Sequence, residues 1–465
     1  MNITLLGAAG GEVTGSAYLV RTRTATVLVD FGMFQGGRRS EGRNRLPAGL
    51  NVQDLDAVLL THGHLDHTGR LPLLAKAGYT GPVYATPATM ELTALILRDS
   101  AKIQMQDAER QNRKRERAGE SAEPPLYTPQ DAENLIRRLE EVPYRRRVTV
   151  APGVQATWTE AGHMLGSGSI RLETIEKDRR RRVVFSGDLG PRGAPILRDF
   201  EPFHDADAVF LESTYGNRDH RPFRETVDEF NEVVGRAVAE GGKILVPTFA
   251  VGRAQLLTVL LSRMFRARKV RPFPIYLDSP MAIEAGRIYM AHPELFDDEM
   301  KEYLQERPIG DDLRTLRYSV TAEDSKRIND QPGPCLVLAG AGMCNAGRIL
   351  HHLKHNLWRA GTHVLIVGYQ AHGSLGRRLV DGEKLVSIHG EKIAVKAEVH
   401  TLGGFSAHAG QKDLLSWMTS LAPARPRVLL THGEESARQA LAGVIRERLG
   451  LRCGLPAFGE VIEMD

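Results

Sequence analysis

Four residues within a span of six, His62, His64, Asp66 and His67, have side chains able to bind divalent metal ions. Neutral imidazoles joined by a carboxylate are the nitrogen and oxygen donors that a borderline ion such as zinc prefers. The cluster HGHLDH follows the apolar run Ala57–Leu60, and on a loop at a strand end its donors can converge without a long helix to space them. One such cluster cannot complete a two-ion site, so further donors are sought at other strand ends. His163 stands in EAGHMLGSGS, Asp188 follows the apolar run of VVFSGD, and His432 ends VLLTHGE, which echoes AVLLTHG at the first cluster. An isolated histidine in a turn is usually a surface residue and an isolated aspartate at a strand end a turn former. All three share one context, a polar donor after an apolar strand with glycine following, which raises them together.

The elements that must position these donors are legible as alternating runs. Met1–Leu6, Ala17–Val20 and Thr26–Val29 read as strands, the last ending on Asp30. A long helix is expected from about Pro87 to Ala118 and another over Gln130–Glu141. Strands return at Arg147–Val150, Gln155–Thr159, Ser169–Thr174 and Val183–Ser186. From about residue 205 strand alternates with helix, the mark of parallel α/β units, and after Asp381 short strands come back. The reading is a discontinuous domain, 1–204 and 384–465, interrupted by an inserted α/β domain over 205–383.

Composition bounds the class. The chain has 465 residues, too many for one ordinary domain, with 42% hydrophobic and 25% charged residues. These are globular proportions and exclude general disorder or a polytopic membrane protein. The formal charge of +4 is too small to name a partner. Three cysteines, Cys335, Cys344 and Cys453, make no disulfide framework. With no leader pattern at the N-terminus and no spanning run of apolar residues, a cytoplasmic, non-membrane protein is expected.

The motifs resemble those of a known superfamily. LVD at Asp30, HGHLDH at His62–His67, AGHMLGSGS at His163 and SGDLG at Asp188 look like the four ordered motifs of the metallo-β-lactamase fold. LESTYG at Glu212, GFSAHA at His408 and LLTHGE at His432 look like the three further motifs of the β-CASP nucleases, and VPTFAVGRAQ, YLDSPMA and GAGMCNAGRILHHL resemble other blocks of that family. The resemblance runs from Leu5 to Glu434 and is nearest to prokaryotic homologues of the endonuclease subunit of the pre-mRNA 3′-end cleavage factor. It implies a metallo-β-lactamase αββα sandwich with an inserted β-CASP domain. It further implies two divalent ions, zinc with manganese as the alternative: His62, His64 and His163 on one, Asp66, His67 and His432 on the other, Asp188 bridging. Asp30 would orient a ligand imidazole, and Glu212 would pair with His408. Asp66 and Asp188 count with His408 and Glu212 as catalytic.

The implied activity is hydrolysis of single-stranded RNA by a two-metal hydroxide mechanism, giving 5′-phosphate and 3′-hydroxyl ends, with His408 as general acid. Endonuclease action is expected, with 5′→3′ exonuclease action beside it. HxHxDH alone does not select nucleic acid, but an insert between Asp188 and His432 can cover the metal site and leave a slot for an extended strand. The runs Arg113-Lys114-Arg115, Arg145-Arg146-Arg147 and Arg179-Arg180-Arg181-Arg182 fit a polyanion. Arg253, at the start of an expected helix, could meet a phosphate there. His351 and His355 share a helical face but lack a third donor, and His372 is a candidate to line the RNA slot without a catalytic role. The rival readings are a DNA-acting β-CASP nuclease and a catalytically silent RNA-binding scaffold. His432 favours RNA, and the presence of all seven ligands disfavours the scaffold. A homodimer is the assembly considered, with nothing in the residues to set it. The short stretch after His432 leaves no room for the separate C-terminal domain of ribonuclease J.

Overall fold

The computed structural model describes residues 1–35, 42–176, 179–370 and 373–464. They form two compact units: Met1–Gly193 with Arg198–Asp219 and His408–Asp465, and Ala194–Leu197 with His220–Ala407.

The first unit is built on two seven-stranded sheets. One runs in the order Val461–Glu463, Asn2–Leu5, Tyr18–Arg21, Thr26–Val29, Ala57–Leu59, Val83–Ala85, Leu139–Glu141. The other runs Cys453–Gly454, Arg427–Thr431, Ala208–Glu212, Arg179–Phe185, Gly168–Glu176, Val154–Glu160, Val148–Ala151. Alternation along each strand sorts its side chains between layers. Val27, Val29 and Leu59 of the first sheet meet Trp158, Ile170, Phe185 and Phe210 of the second in the central core. The intervening Leu28 and Val58 face outward onto Leu71, Leu74, Leu97 and Leu135. Val184, Val209 and Leu211 face the opposite way, onto Leu414, Trp417, Leu441 and Ile445 of the C-terminal helices. Apolar on both faces, the sheets must be covered twice, and the result is the expected αββα sandwich.

The second unit holds a six-stranded sheet, ordered Leu316–Tyr318, Ile275–Asp278, Cys335–Ala339, Lys243–Pro247, Thr362–Ile366, Glu398–Thr401, all parallel. Its inner strands, such as Cys335–Ala339, are nearly continuous apolar runs, as burial on both faces requires, whereas the edge strands Leu316–Tyr318 and Glu398–Thr401 carry polar residues and are partly exposed. Helices Arg253–Arg266, Pro280–Ala291, Ala322–Asp330 and Ile349–Asn356 lie in the crossovers, and Phe223–Ala239 leads into the first strand, Lys243–Pro247.

The borders differ from those expected at 205 and 384. Ala208–Glu212 is inserted between Arg179–Phe185 and Arg427–Thr431 in the second sheet, so the first unit extends to Asp219. Glu398–Thr401 pairs with Thr362–Ile366, so the chain returns to the first unit only at His408. Strand–helix alternation marks the style of the insert, whereas hydrogen-bonded pairing decides where each strand belongs. The helix expected over Gln130–Glu141 stops at Ile136, and Leu139–Glu141 instead pairs in parallel with Val83–Ala85 as an edge strand. The long helix runs Pro87–Arg117. No helix among the described residues is long and apolar enough to cross a membrane.

Candidate metal centre

His62, His163, Asp188 and His432 lie just beyond the C-terminal ends of strands or on the loops that follow, while His64 stands at the start of the short helix Leu65–Thr68 and Asp66 and His67 lie within it. Thr26–Val29 delivers Asp30, Ala57–Leu59 leads to His62, Val154–Glu160 to His163, Arg179–Phe185 to Asp188, and Arg427–Thr431 to His432. Parallel pairing of Glu212 with Thr431 sets Glu212 beside the His432 loop. Asp30 and His432 both adopt left-handed backbone, with φ of 54° and 50°. That conformation costs a residue with a Cβ roughly 1–2 kcal/mol, a strain typical of functional positions. Gly32 lets two loops close: a Cβ there would stand 1.5 Å from the carbonyl oxygen of Asp66.

The donors fall into two groups. His62, His64, His163 and Asp188 have ligand atoms within 4.8 Å of one another, and so do Asp66, His67 and His432. Asp188 divides its oxygens between them. Its Oδ2 lies 3.6 Å from Nε2 of both His62 and His163, and its Oδ1 lies 3.2 Å from His67 Nε2 and 3.5 Å from His432 Nε2.

The remaining ring nitrogens are held from behind. His67 Nδ1 donates to Asp30 Oδ2 at 2.8 Å, while Asp30 also accepts from Thr61 N and Oγ1. Thr61 Oγ1, having given its proton to Asp30, can accept from His62 Nδ1 at 3.1 Å. Thr214 Oγ1 donates to the His432 carbonyl and can accept from His432 Nδ1, each at 3.1 Å. These bonds assign tautomers that present Nε2 lone pairs to the centre.

This donor set fits cations. His62 Nε2 and Asp188 Oδ1 are buried without a hydrogen-bond partner, which is costly unless an ion satisfies them. His64 Nδ1 faces His163 Nε2 at 3.0 Å, and His67 Nε2 faces His432 Nε2 at 3.3 Å. Burial and the neighbouring charge of His67 push His62 well below the ordinary histidine range, and burial lowers His64 to about 4. Burial opposes charge on His67, yet Asp188 and Asp30 outweigh it and hold its pKa well above the usual value. Burial likewise opposes charge on Asp188, but His432, His67 and His62 keep its carboxyl well below the ordinary range. Asp30 and Asp188 thus favour positive charge beside them, carried by the His67 ring or by a cation standing in place of its Nε2 proton.

Beside it stands a third group, Asp188, Glu212 and His408. His408 Nδ1 is 3.4 Å from Glu212 and 3.9 Å from Asp188 Oδ2. Burial would lower the His408 pKa, but Glu212, by charge and hydrogen bond, then Asp188 and Asp66, push it up to about 9. The backbone N–H of Ala409 donates to Leu189 O at 2.6 Å and ties the His408 loop to the Asp188 loop.

Comparison with known proteins identifies the family. Models of three families match in order: the metallo-beta-lactamase superfamily at residues 10–222, the Beta-Casp domain at 254–379, and the Zn-dependent metallo-hydrolase RNA specificity domain at 392–456. Ribonuclease TTHA0252 of Thermus thermophilus is 42% identical, over 99% of both chains. The chain belongs to the β-CASP ribonuclease family of the metallo-β-lactamase superfamily. Transcription termination factor FttA of Cenarchaeum symbiosum, 33% identical, aligns with all of this chain and 71% of its own. A solved structure of a protein of unknown function from Enterococcus faecalis V583 shares the fold, with a TM-score of 0.54 at 14% identity over 100% of this chain and 99% of its own.

Other expected residues of this β-CASP protein have these places. Arg253 opens the helix Arg253–Arg266 of the second unit and is buried. His372 lies outside the described residues. His352 is fully buried, its Nε2 2.6 Å from Asp278, which also accepts from Ser325 and Arg348. His351 stacks near His389. The basic runs are partly neutralised: Arg145 by Glu201, Arg147 by Glu173, Arg182 by Asp205 and Arg115 by Glu123.

Sequence reasoning missed Thr61, Thr214 and Arg70. Arg70 is fully buried, lies 4.3 Å above the ring of Phe31, and donates to the carbonyls of Gly32, Gly15 and Leu6. Its position directly after HGHLDHTG was the available signal.

Proposed function

We propose that the protein is a metal-dependent ribonuclease that hydrolyses phosphodiester bonds of single-stranded RNA, chiefly as an endonuclease, at the centre around Asp188. The observation that carries this reading is the division of the Asp188 carboxylate between two groups of imidazole and carboxylate donors. His62, His64 and His163 would hold one divalent ion, Asp66, His67 and His432 the other, and Asp188 would touch both. Zinc is the metal proposed, on the strength of five imidazoles and the tautomers fixed by Asp30, Thr61 and Thr214. Bound there, a pair of such cations supplies Lewis acidity toward water and toward phosphate oxygens.

The chain's own residues supply the rest. A water oxygen bonds to phosphorus in line and gives up its proton to solvent as the bond to the RNA 3′-oxygen, a poor leaving group unless it gains a proton, breaks. His408, protonated at neutral pH and held through Nδ1 by Glu212, would give that proton from Nε2. Glu212 is itself fixed by backbone amides, accepting from Leu189 N at 2.7 Å and Thr214 N at 3.3 Å. The products are a 5′-phosphate and a 3′-hydroxyl. The relatives' names and the RNA specificity domain support RNA over DNA. The three unpaired cysteines suit a reducing, cytoplasmic setting.

The test is incubation of the purified protein with end-labelled single-stranded RNA and DNA, with chelator and with metal restored. Cleavage of RNA alone, abolished by chelator and recovered with zinc, is expected. Products shortened stepwise from the 5′ end would add exonuclease action, and chelator-resistant inactivity on both polymers would end the proposal.

A further inference from the structure

A second meeting of imidazoles lies in the sheet of the second unit and shares no residue with the centre above. His363 belongs to strand Thr362–Ile366, and Glu398 and His400 belong to the edge strand Glu398–Thr401. The two strands are parallel, with His363 opposite Glu398 and Leu365 opposite His400. Residues two apart on a strand share a face, so the three side chains project together. Nδ1 of His363 lies 3.3 Å from Nε2 of His400 and 3.8 Å from Oε2 of Glu398, and His400 Nε2 lies 3.7 Å from the same oxygen.

These separations suit an ion. Ligand bonds of about 2.0–2.1 Å in a tetrahedron place donor atoms roughly 3.3–3.4 Å apart. One pair already stands at that spacing, and the other two need only a few tenths of an ångström. The side chain of His363 is fully buried, and its Nε2 has no hydrogen-bond partner; the Glu240 carboxylate faces it at 3.6 Å. A metal on Nδ1 keeps the proton on Nε2, and a ligand histidine characteristically turns that N–H toward a carboxylate. A bare histidine–histidine hydrogen bond accounts for the 3.3 Å contact but not for the carboxylate converging on the same two nitrogens. Arg236 Nη2, 3.2 Å from Glu398 Oε2, is the competitor for that oxygen.

We propose that His363, Glu398 and His400 form a binding site for a borderline divalent ion of the zinc class, which clips the edge strand to its neighbour. Among the described residues Glu398–Thr401 pairs with one strand only, and an edge strand gains its hold from whatever joins it to that partner.

The test uses the full-length protein, stripped by chelator and titrated with zinc chloride alone. Wild type is expected to take up one equivalent more than His400→Ala, a difference that holds whatever number the catalytic centre binds. Glu398→Gln, at an exposed position, should weaken that uptake by at least about tenfold, and Arg236→Gln should tighten it. Zinc-soaked crystals should show an anomalous peak between His363 Nδ1 and His400 Nε2. Equal uptake by wild type, His400→Ala and Glu398→Gln, or no such peak, would overturn the proposal.

Discussion

Glu212 and His408, 196 positions apart in sequence, meet at 3.4 Å, and the carboxylate is held in place by the amides of Leu189 and Thr214. The pair therefore has a rigid half and a tunable half. Glu212 is buried and fixed by backbone amides, and its carboxylate raises the hold of the neighbouring His408 on a proton.

His408→Ala should keep its metal content and lose turnover by about 10²–10⁴-fold, the usual worth of a positioned general acid. Elemental analysis beside single-stranded RNA cleavage checks this. Loss of metal from the variant would make His408 a ligand instead.

Asp188→Asn should lower the occupancy of both ions together, because each oxygen of Asp188 faces a different donor group. His163→Ala should cost mainly one ion, since His163 lies in one group only. Metal-to-protein ratios after dialysis against a weak chelator distinguish the two variants. Equal ratios would contradict the bridging assignment.

Thr214→Val leaves all the donors in place but removes the hydroxyl that meets His432 Nδ1 and its carbonyl. Zinc affinity should fall about 10–100-fold, as when other groups behind ligand histidines are removed. An unchanged dissociation constant in a competitive chelator titration would mean that packing alone orients the imidazole.

Glu160 should make stability fall with rising pH. Burial pushes its pKa up to about 8, against hydrogen bonds from the Gly162 and Ala161 amides and the charge of Arg198. An acid whose pKa is raised on folding binds more protons folded than unfolded. Its contribution is thus steady below the ordinary carboxylate range and declines up to about pH 8, at about 1.4 kcal/mol per pH unit. In calorimetric melts across that interval, Glu160→Gln should lose less stability than wild type with each step upward. Parallel curves for the two proteins would count against a neutral, buried Glu160.

Much of the centre was legible because chemistry and strand ends coincide in the sequence. His62, His64, Asp66 and His67 sit within one turn of chain after an apolar run, and Asp188 and His432 repeat that setting. Thr61 and Thr214 were not legible, since a threonine's hydroxyl gains meaning only when a fold aims an imidazole at it. Pairing was equally hidden. Leu139–Glu141, two acids after a leucine, reads as the tail of a helix and becomes a strand because Val83–Ala85 offers it an open edge. His363 and His400, 37 positions apart, are brought together by the parallel register of their strands, which spacing does not show. The domain borders moved for the same reason.

The donors are gathered from chain positions between His62 and His432, and the strand that carries the last of them, Arg427–Thr431, must dock against Ala208–Glu212 before the centre exists. A growing polypeptide on the ribosome therefore has no complete centre until that late strand has emerged and found its place.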